Sequence, residues 1–332
     1  MNIFNQVRVS VIIPCYNIEK YLAECLDSVL SQSLEEIEVI CINDGSTDST
    51  PAILDSYKEK DARIAVIHQA NGGVSVASNV GLSLARGEYV YLVDHDDIVK
   101  PNALKTCYSL AREYKTDAVH FNAESYFETA ELEKQFPQLK TPKRIGYEQY
   151  NPTDGPTLFE LLYSRAAYRV PLWHCFFSNA FLSEHQFRFV PGISSQDNVF
   201  SFQTILSSRS VVFCENSLYI NRIRCGSVMT TPKKRKDAIS RIIGLGHMKE
   251  FLEQIASNLP EDVYYAAKRY LNDQKNYING KHLENLSITD VEYRNIFNSL
   301  SEYIEYINVD EKPPEKATLF SSNIRNKIAN IL

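Results

Sequence analysis

Over residues 1–127 the hydrophobic pattern switches repeatedly between two periods, and this switching limits the fold more than any other feature of the chain. "VSVIIP" (9–14) is a continuous apolar run, suited to a strand buried on both faces. "EKYLAECLDSVLSQS" then places Leu22, Cys25, Leu26, Val29 and Leu30 at helical spacing. "IEVICIND" (37–44) returns to the strand pattern. "DSTPAILDSYKEK" reads as a helix, with Asp48 as its N-cap and Pro51 in its first turn. "RIAVIHQ" (63–69) is a third strand. "GGVSVASNVGLSLARG" sets Val76, Val80 and Leu84 on one helical face and stops at Gly87, a C-cap signal. "EYVYLVD" (88–94), the helix "PNALKTCYSLAREYK" and "DAVHFNAESYF" (117–127) complete the series. Such alternation predicts a parallel sheet with right-handed crossovers, and ligands bind such sheets at the carboxyl ends of the strands.

The remainder is less regular. Residues 128–152 break the rhythm and read as an insertion or linker. From 155 helix and strand are mixed: "LFELLYS", "NAFLSEH", "QDNVFSFQTILSS" and the strand "SVVFCENSLYINRI". After Thr231 the pattern is polar and helical, with candidates near 236–257, 261–281 and 289–307. The basic run "PKKRKD" (232–237) fits a solvated helix start. A final stretch carries Leu319, Phe320, Ile324, Ile328 and Ile331 at helical spacing, which suits packing on the preceding helices or peripheral contact with an anionic membrane.

Composition excludes several classes. The net charge of −6 over 332 residues argues against general nucleic-acid binding. The seven cysteines include no CxxC pair and read as reduced, buried thiols of a cytoplasmic protein. The N-terminus lacks a signal-peptide pattern, and no apolar run approaches the ~20 residues of a membrane span.

Two polar clusters fall at predicted strand ends. "VDHDDIVKP" crowds Asp94, Asp96 and Asp97 around His95 where a buried strand emerges. Like charges at that spacing need compensation, and a hard divalent cation such as Mg²⁺ or Mn²⁺ is the simplest. The bland alternative is a solvated turn with Asp97 capping the next helix. "INDGSTDST" leads Asp44 through a glycine turn into Ser46, Thr47 and Asp48, where a helix N-terminus favours an anion. Turn and capping chemistry explains Gly45 and Asp48 equally well. It does not explain the neighbouring polar turn "CYN" (15–17).

Together with "NGGVSVASNVGLSLARGEYVYLVDHDD" and "WHCFFSNAFLSEHQFRFVPGISSQDNVFSFQTIL", these stretches resemble a family 2 glycosyltransferase of the GT-A fold, continuously over about residues 8–230. The resemblance implies an α/β fold: a mostly parallel central sheet flanked by helices, with a helical C-terminal extension. The glycosyltransferase domain would span 1–230, with a nucleotide-sugar-binding half (1–127), a catalytic half (153–230) and a helical region (231–332). It implies transfer of a sugar from a nucleotide donor with inversion. Asp44 would face the donor's pyrimidine, with Pro14, Tyr16, Asn17 and Ser46 lining the same pocket. Asn79 and His95 would contribute to the donor site. Asp94 would approach ribose or sugar hydroxyls and assist Asp96, the ligand of a Mn²⁺ or Mg²⁺ ion on the diphosphate. Arg222 or Arg224 would meet phosphate, and Asp197 would be the catalytic base.

Three departures stand out. Ser78-Asn79 replaces the usual Arg-Asn pair, His95 the usual Ser, and Gln196 the usual Glu. Trp173 and His174 are candidates for acceptor contact along with Gln196, since aromatic faces stack on sugar rings; a core tryptophan is the competing reading. The function expected is an inverting, metal-dependent transferase using a UDP-sugar. The acceptor expected is a glycan or lipid-linked glycan in surface polysaccharide or lipooligosaccharide synthesis, at the cytoplasmic face of a membrane. The rivals are an inactive glycan-binding or scaffold homologue, a haloacid-type phosphatase, and a nucleotidyltransferase. The phosphatase strand would carry Thr soon after the acidic pair, and the nucleotidyltransferase would need a Gly-rich basic loop. A dehydrogenase would need glycines where "PCYNIEKYL" has none.

Overall fold

The structure is a computed structural model, and it describes residues 6–232 and 235–278. The described chain divides into two compact units. The first holds the residues up to Gly192 and Phe200–Thr231; the second holds Ile193–Val199 and the described residues from Pro232 onward.

The first unit is built on β1 (Val9–Cys15), α1 (Leu22–Leu30), β2 (Ile37–Asp44), α2 (Thr50–Lys60), β3 (Ile64–Gln69), α3 (Val74–Leu84), β4 (Tyr89–Leu92), β5 (Ile98–Val99), α4 (Ala103–Tyr114) and β6 (Ala118–Phe127). It continues through α5 (Ala130–Gln135), α6 (Gly155–Ser164), β7 (Cys175–Ser178) and α7 (Asn179–Glu184). Next comes α8 (Gln196–Ser207), whose first residues belong to the second unit, and then β8 (Val211–Ile223). The eight strands form one sheet in the order β3-β2-β1-β4-β7-β6-β8-β5. β3, β2, β1 and β4 run parallel, as do β6 and β8; β7 is antiparallel to both neighbours, and β5 to β8. All eight residues of β2 are buried, which is why its sequence is apolar without alternation. Gly81 lets α3 lie close on the sheet: a Cβ there would stand 2.3 Å from Ile12 Cγ2.

Several local expectations are corrected. Ser49, not Asp48, precedes α2, and Asp48 Oδ1 instead accepts from Thr50 N at 3.0 Å. α3 ends at Leu84 on an extended Ala85, so Gly87 is no C-cap; it sits where a Cβ would meet Ser10 N at 2.5 Å. Residues 128–152 are more than a linker. They carry α5, and they bury Arg144, whose Nε and backbone N donate to Asn122 Oδ1. Six cysteines are buried and none of the seven forms a disulfide among the described residues, while Cys225 is exposed.

In the second unit α9 (Arg235–Ile255) and α10 (Glu261–Tyr277) pack together, and they bury Ile242, Leu245, Met248 and Leu252 of the first and Val263, Ala267 and Leu271 of the second. Gly244 of α9 leaves room for the 193–199 segment, since a Cβ there would lie 3.3 Å from both Ser195 Oγ and Val199 Cγ2. The helix expected at 289–307 and the apolar stretch 319–331 lie outside the described residues. No helix among the described residues is long and apolar enough to cross a membrane.

Candidate active site

β1 is the switch point of the sheet. Its neighbours are β2 and β4, and the three carboxyl ends lie side by side, with Cys15 opposite Asn43 and Ile12 opposite Leu92. The chain diverges there, and helices α1, α2 and α3 begin near it, presenting N-terminal dipoles.

The loops after β1 and β2 are tied by reciprocal hydrogen bonds. Asn17, in left-handed backbone at φ 47°, donates its N–H to Ser46 Oγ at 3.0 Å and accepts from Thr47 N at 2.8 Å. Ser46 N donates to Asn43 Oδ1 at 3.1 Å, and Ile18 N to Thr50 Oγ1 at 2.9 Å. Tyr16 beside them is 47% exposed. Asp44 holds a third loop. Its Oδ1 accepts from Gly72 N at 2.8 Å and Gln69 Nε2 at 2.7 Å, and its Oδ2 from Gly73 N at 2.8 Å. The buried carboxylate therefore spends most of its acceptor capacity on the chain itself.

After β4 the acidic turn is graded in exposure: Asp94 is exposed, Asp96 partly buried and Asp97 buried. Tyr219 Oη accepts from Asp94 N at 3.2 Å and donates to Asp97. Asp97 also accepts from Arg222 N at 2.7 Å and from Asn221 Nδ2 at 3.1 Å. Burial, and then the charge of Asp96, push the Asp97 carboxyl up to about 7. Asp97 is thus a clamp between the turn and β8, and Asn102 rather than Asp97 precedes α4. His95 Nδ1 lies 2.8 Å from Pro14 O; a carbonyl only accepts, so Nδ1 carries the proton and ties the acidic turn to β1.

Cations gather on one side of this turn. Lys20 Nζ, Arg222 and Arg224 lie 4.7, 5.2 and 5.0 Å from the ring centroid of Tyr21. Arg222 is held at several points: Nε donates to Asp96 O, Nη2 pairs with Glu24, and the guanidinium also stands over Tyr126. Among the described residues Arg224 has a single ion pair, from Nε to Asp96 Oδ2 at 2.7 Å.

In the second unit Asp197 lies in the first turn of α8, and desolvation pushes its carboxyl up to about 7. Gln196, with its amide turned to satisfy its neighbours, donates to Ile193 O and Ser194 O. Ser240 Oγ accepts from Ser194 N and Ser195 N, which fixes the segment ahead of Asp197.

Comparison with known proteins agrees with this geometry. The glycosyl transferase family 2 profile matches residues 10–176. The chain is 34% identical over 230 residues to glycosyltransferase GlyG of Streptococcus pneumoniae serotype 4, covering 67% of this chain and 73% of that protein. The chain belongs to glycosyl transferase family 2. Two solved structures share its fold, and family 2 membership sets the phosphatase reading aside. The S. aureus TarS fragment 1-349 in complex with UDP has TM-score 0.66 at 19% identity, over 91% of this chain and 81% of that one. A mannosyltransferase from Pyrobaculum calidifontis, in complex with GDP-Man and Mn2+, has TM-score 0.50 at 17% identity, over 92% and 86%. The fold is GT-A.

Against the family's pattern, the structure brings Pro14, Tyr16, Asn17, Asp44, Ser46, Asp94, His95, Asp96 and Arg224 to the loops at one end of the parallel strands. Other expected residues are placed differently. Asn79 is taken up with Phe189, donating to its O and accepting from its N at 2.9 Å each, so it anchors that segment and has little left for a donor. Arg222 is a structural cation for the same reason. Trp173 stacks on Tyr219 at 4.9 Å and is buried, as is His174, so neither offers a face to an acceptor. His174, His120 and Cys175 form a buried trio of metal-type ligands. Burial, then Arg144, pushes His120 down to about 3 and His174 well below its ordinary value. A divalent ion there would add charge beside a buried guanidinium, and neither Nε2 has the partner that orients a ligating histidine. The acidic turn fits a hard cation better. Asp94 is exposed and Asp96 Oδ2 already holds a positive group, while Asp96 Oδ1 takes no hydrogen bond among the described residues. Sequence reading missed Tyr21, Glu24, Gln69 and Tyr219 and gave Asp97 only as a cluster member or helix cap; only the glycines of "NGG" hinted at the loop on Asp44.

Proposed function

We propose that the chain transfers a sugar from a UDP-sugar to a glycan hydroxyl, with inversion, during synthesis of a surface polysaccharide. The observation that carries this is the switch-point rim, where the loops of Asn17, Ser46 and Asp44 adjoin the Asp94–Asp96 turn. The uridine end of the donor fits the loop side, near Tyr16 and the 71–73 loop held by Asp44. The diphosphate fits the acidic turn, with Asp96 and Asp94 holding Mn²⁺ or Mg²⁺ and Arg224 supplying N–H donors. A metal bound there would neutralise charge developing on the leaving diphosphate. Asp197 accepts the acceptor proton; a carboxyl near 7 is half ionised at neutral pH, and bases of that strength are effective there. The UDP-bound TarS neighbour and the mannosyltransferase with GDP-Man and Mn2+ support a nucleotide-sugar donor and a divalent ion. A lipid-linked acceptor, with peripheral membrane contact through the C-terminal stretch, belongs to the same reading.

The test is to incubate the protein with a panel of UDP-sugars, Mn²⁺ and oligosaccharide acceptors, following UDP release and the anomeric configuration of the product by NMR. UDP release with a β-linked product from an α-linked donor is expected. A product that retains the donor configuration would rule out single displacement, and release from GDP-sugars alone would rule out the uridine assignment.

A further inference from the structure

We infer that Arg224 is a latch on Asp96, which keeps the metal-binding carboxylate occupied until a nucleoside diphosphate draws the guanidinium away. The inference rests on the reading that the acidic turn receives the diphosphate and its cation.

Three observations carry it. First, Arg224 and Asp96 pair through one contact, Nε to Oδ2 at 2.7 Å, with both side chains mostly shielded, at 16% and 15% exposure. With Oδ2 held by the guanidinium, a cation is left Oδ1 and would stand beside the guanidinium charge, which weakens its binding. Second, the two arginines near the turn are not equivalent. Arg222 is fixed by Glu24, by Asp96 O and by two flanking tyrosine rings, and its backbone N is held by Asp97. Arg224 has the Nε bond and the Tyr21 ring; its two Nη groups hold no hydrogen-bond partner among the described residues. Those Nη groups suit a bidentate contact to phosphate. Third, Arg224 shares the Tyr21 ring with Lys20 and Arg222, each of which has its own carboxylate, Glu128 and Glu24, so Asp96 is the carboxylate that balances Arg224 until another anion arrives.

The consequence is thermodynamic coupling. Without nucleotide, a divalent ion must either bind through Oδ1 against the charge of Arg224 or displace Arg224 from Oδ2. With nucleotide, the guanidinium moves to the phosphates, and both oxygens of the Asp96 carboxylate are open to the ion. Nucleotide and metal then each raise the other's affinity by the same factor. The latch contributes to that factor separately from any direct contact between metal and phosphate, and the nucleotide-free state isolates it.

The experiment is a Mn²⁺ titration of the full chain, read by calorimetry and by the EPR signal of free Mn²⁺, with and without UDP. It compares wild type with Arg224→Gln, Arg224→Lys and Asp96→Asn, each first shown to melt near the wild-type temperature. Arg224→Gln should bind Mn²⁺ without UDP at least about fivefold more tightly than wild type, and should show a correspondingly smaller gain on adding UDP. Arg224→Lys, which keeps the charge without the planar fork, should fall between them. The double variant Asp96→Asn/Arg224→Gln should lose the gain. Nucleotide-free Mn²⁺ affinity in Arg224→Gln equal to or below wild type overturns the latch alone. A gain that survives in the double variant also overturns it, since the ion would then bind elsewhere. UDP binding with no Mn²⁺ binding in any form overturns both the latch and the metal reading beneath it.

Discussion

Replacing Asp44 separates what this carboxylate does for the chain from what it does for a nucleobase. In Asp44→Ala, Gly72 N, Gly73 N and Gln69 Nε2 lose their acceptor together. Hydrogen bonds to a charged acceptor contribute about 1.5–3 kcal/mol each, and water can enter the space left to re-solvate part of the loop. The net cost to the 70–73 loop should then be about 2–5 kcal/mol. Much of it should appear as local opening before global unfolding, because the loop joins β3 to α3 and holds little apolar core. Asp44→Asn should fall between: whichever oxygen becomes the amide nitrogen faces an N–H donor. The assay is amide hydrogen exchange at Gly72 and Gly73, with calorimetric affinities for uridine, UDP and inorganic diphosphate. Exchange at both glycines should accelerate by an order of magnitude or more, corresponding to at least about 1.4 kcal/mol. Uridine and UDP should weaken together, and diphosphate should be little affected. Unchanged exchange at Gly72 and Gly73 would refute the clamp. Equal losses for UDP and diphosphate would refute placement of the base on this side of the rim.

Asp197→Asn should lower kcat by ~10²–10⁴ while leaving UDP affinity unchanged, and the acidic limb of the wild-type kcat profile should have its midpoint near the Asp197 value of about 7. The same shift bears on stability. A folded value above the ordinary 3.8 favours the neutral form, so this contribution is present below about pH 4 and lost as pH rises through about 7. Its ceiling is about 4 kcal/mol, reduced to about 1–3 by the partial exposure of the residue, so above pH 7 Asp197→Asn should unfold at higher denaturant than wild type. Gly155→Ala should cost more than about 3 kcal/mol, because its Cβ would lie within 2 Å of the Ile205 carbonyl and backbone cannot step aside; a melting temperature within a few degrees of wild type would contradict this. Asp97→Asn should destabilise by about 1–3 kcal/mol through a donor facing Arg222 N or Asn221 Nδ2, measured by urea unfolding, and an unchanged midpoint would show that the clamp is not needed.

What the sequence disclosed follows from how far each interaction reaches. β1 and β2 were legible to within a residue because strands buried on both faces are continuous apolar runs, and β3, an edge strand in which Ile64 alone is buried, was legible from its branched apolar residues. β5 and β7 were not: at two and four residues they are too short to show a period, and pairing with distant strands defines them. The clustering of Asp44, Asn17 and the acidic turn was legible because βα alternation alone places strand ends together. The roles inside the cluster were not. Asp97 looked like a cap because caps are local, yet its partners Asn221 and Arg222 lie more than 120 residues away. Trp173 was undecided for the same reason, since stacking on Tyr219 carries no local signature.

The departure at Ser78 shows how the site is balanced. The family pattern leads one to expect a cation at that position in α3, and here the side chain is buried at 3% exposure, where an unpaired arginine would be costly. The positive charge beside the acidic turn comes instead from the far end of β8, through Arg222 and Arg224, and from Lys20 after β1. These positions differ from α3 in a way that bears on function. A cation on α3 would sit on a helix pinned to the sheet by Gly81, whereas Arg224 follows the last residue of β8 and hangs on one ion pair. Under the proposed latch, moving the cation from a fixed element to a strand end turns a permanent phosphate partner into one that must first let go of Asp96. The rim formed by Asn17, Ser46 and Asp44, in contrast, is cross-bonded without any ligand. On the proposed placement of the donor, its base side is therefore built in advance, and the diphosphate side is the part that has to rearrange.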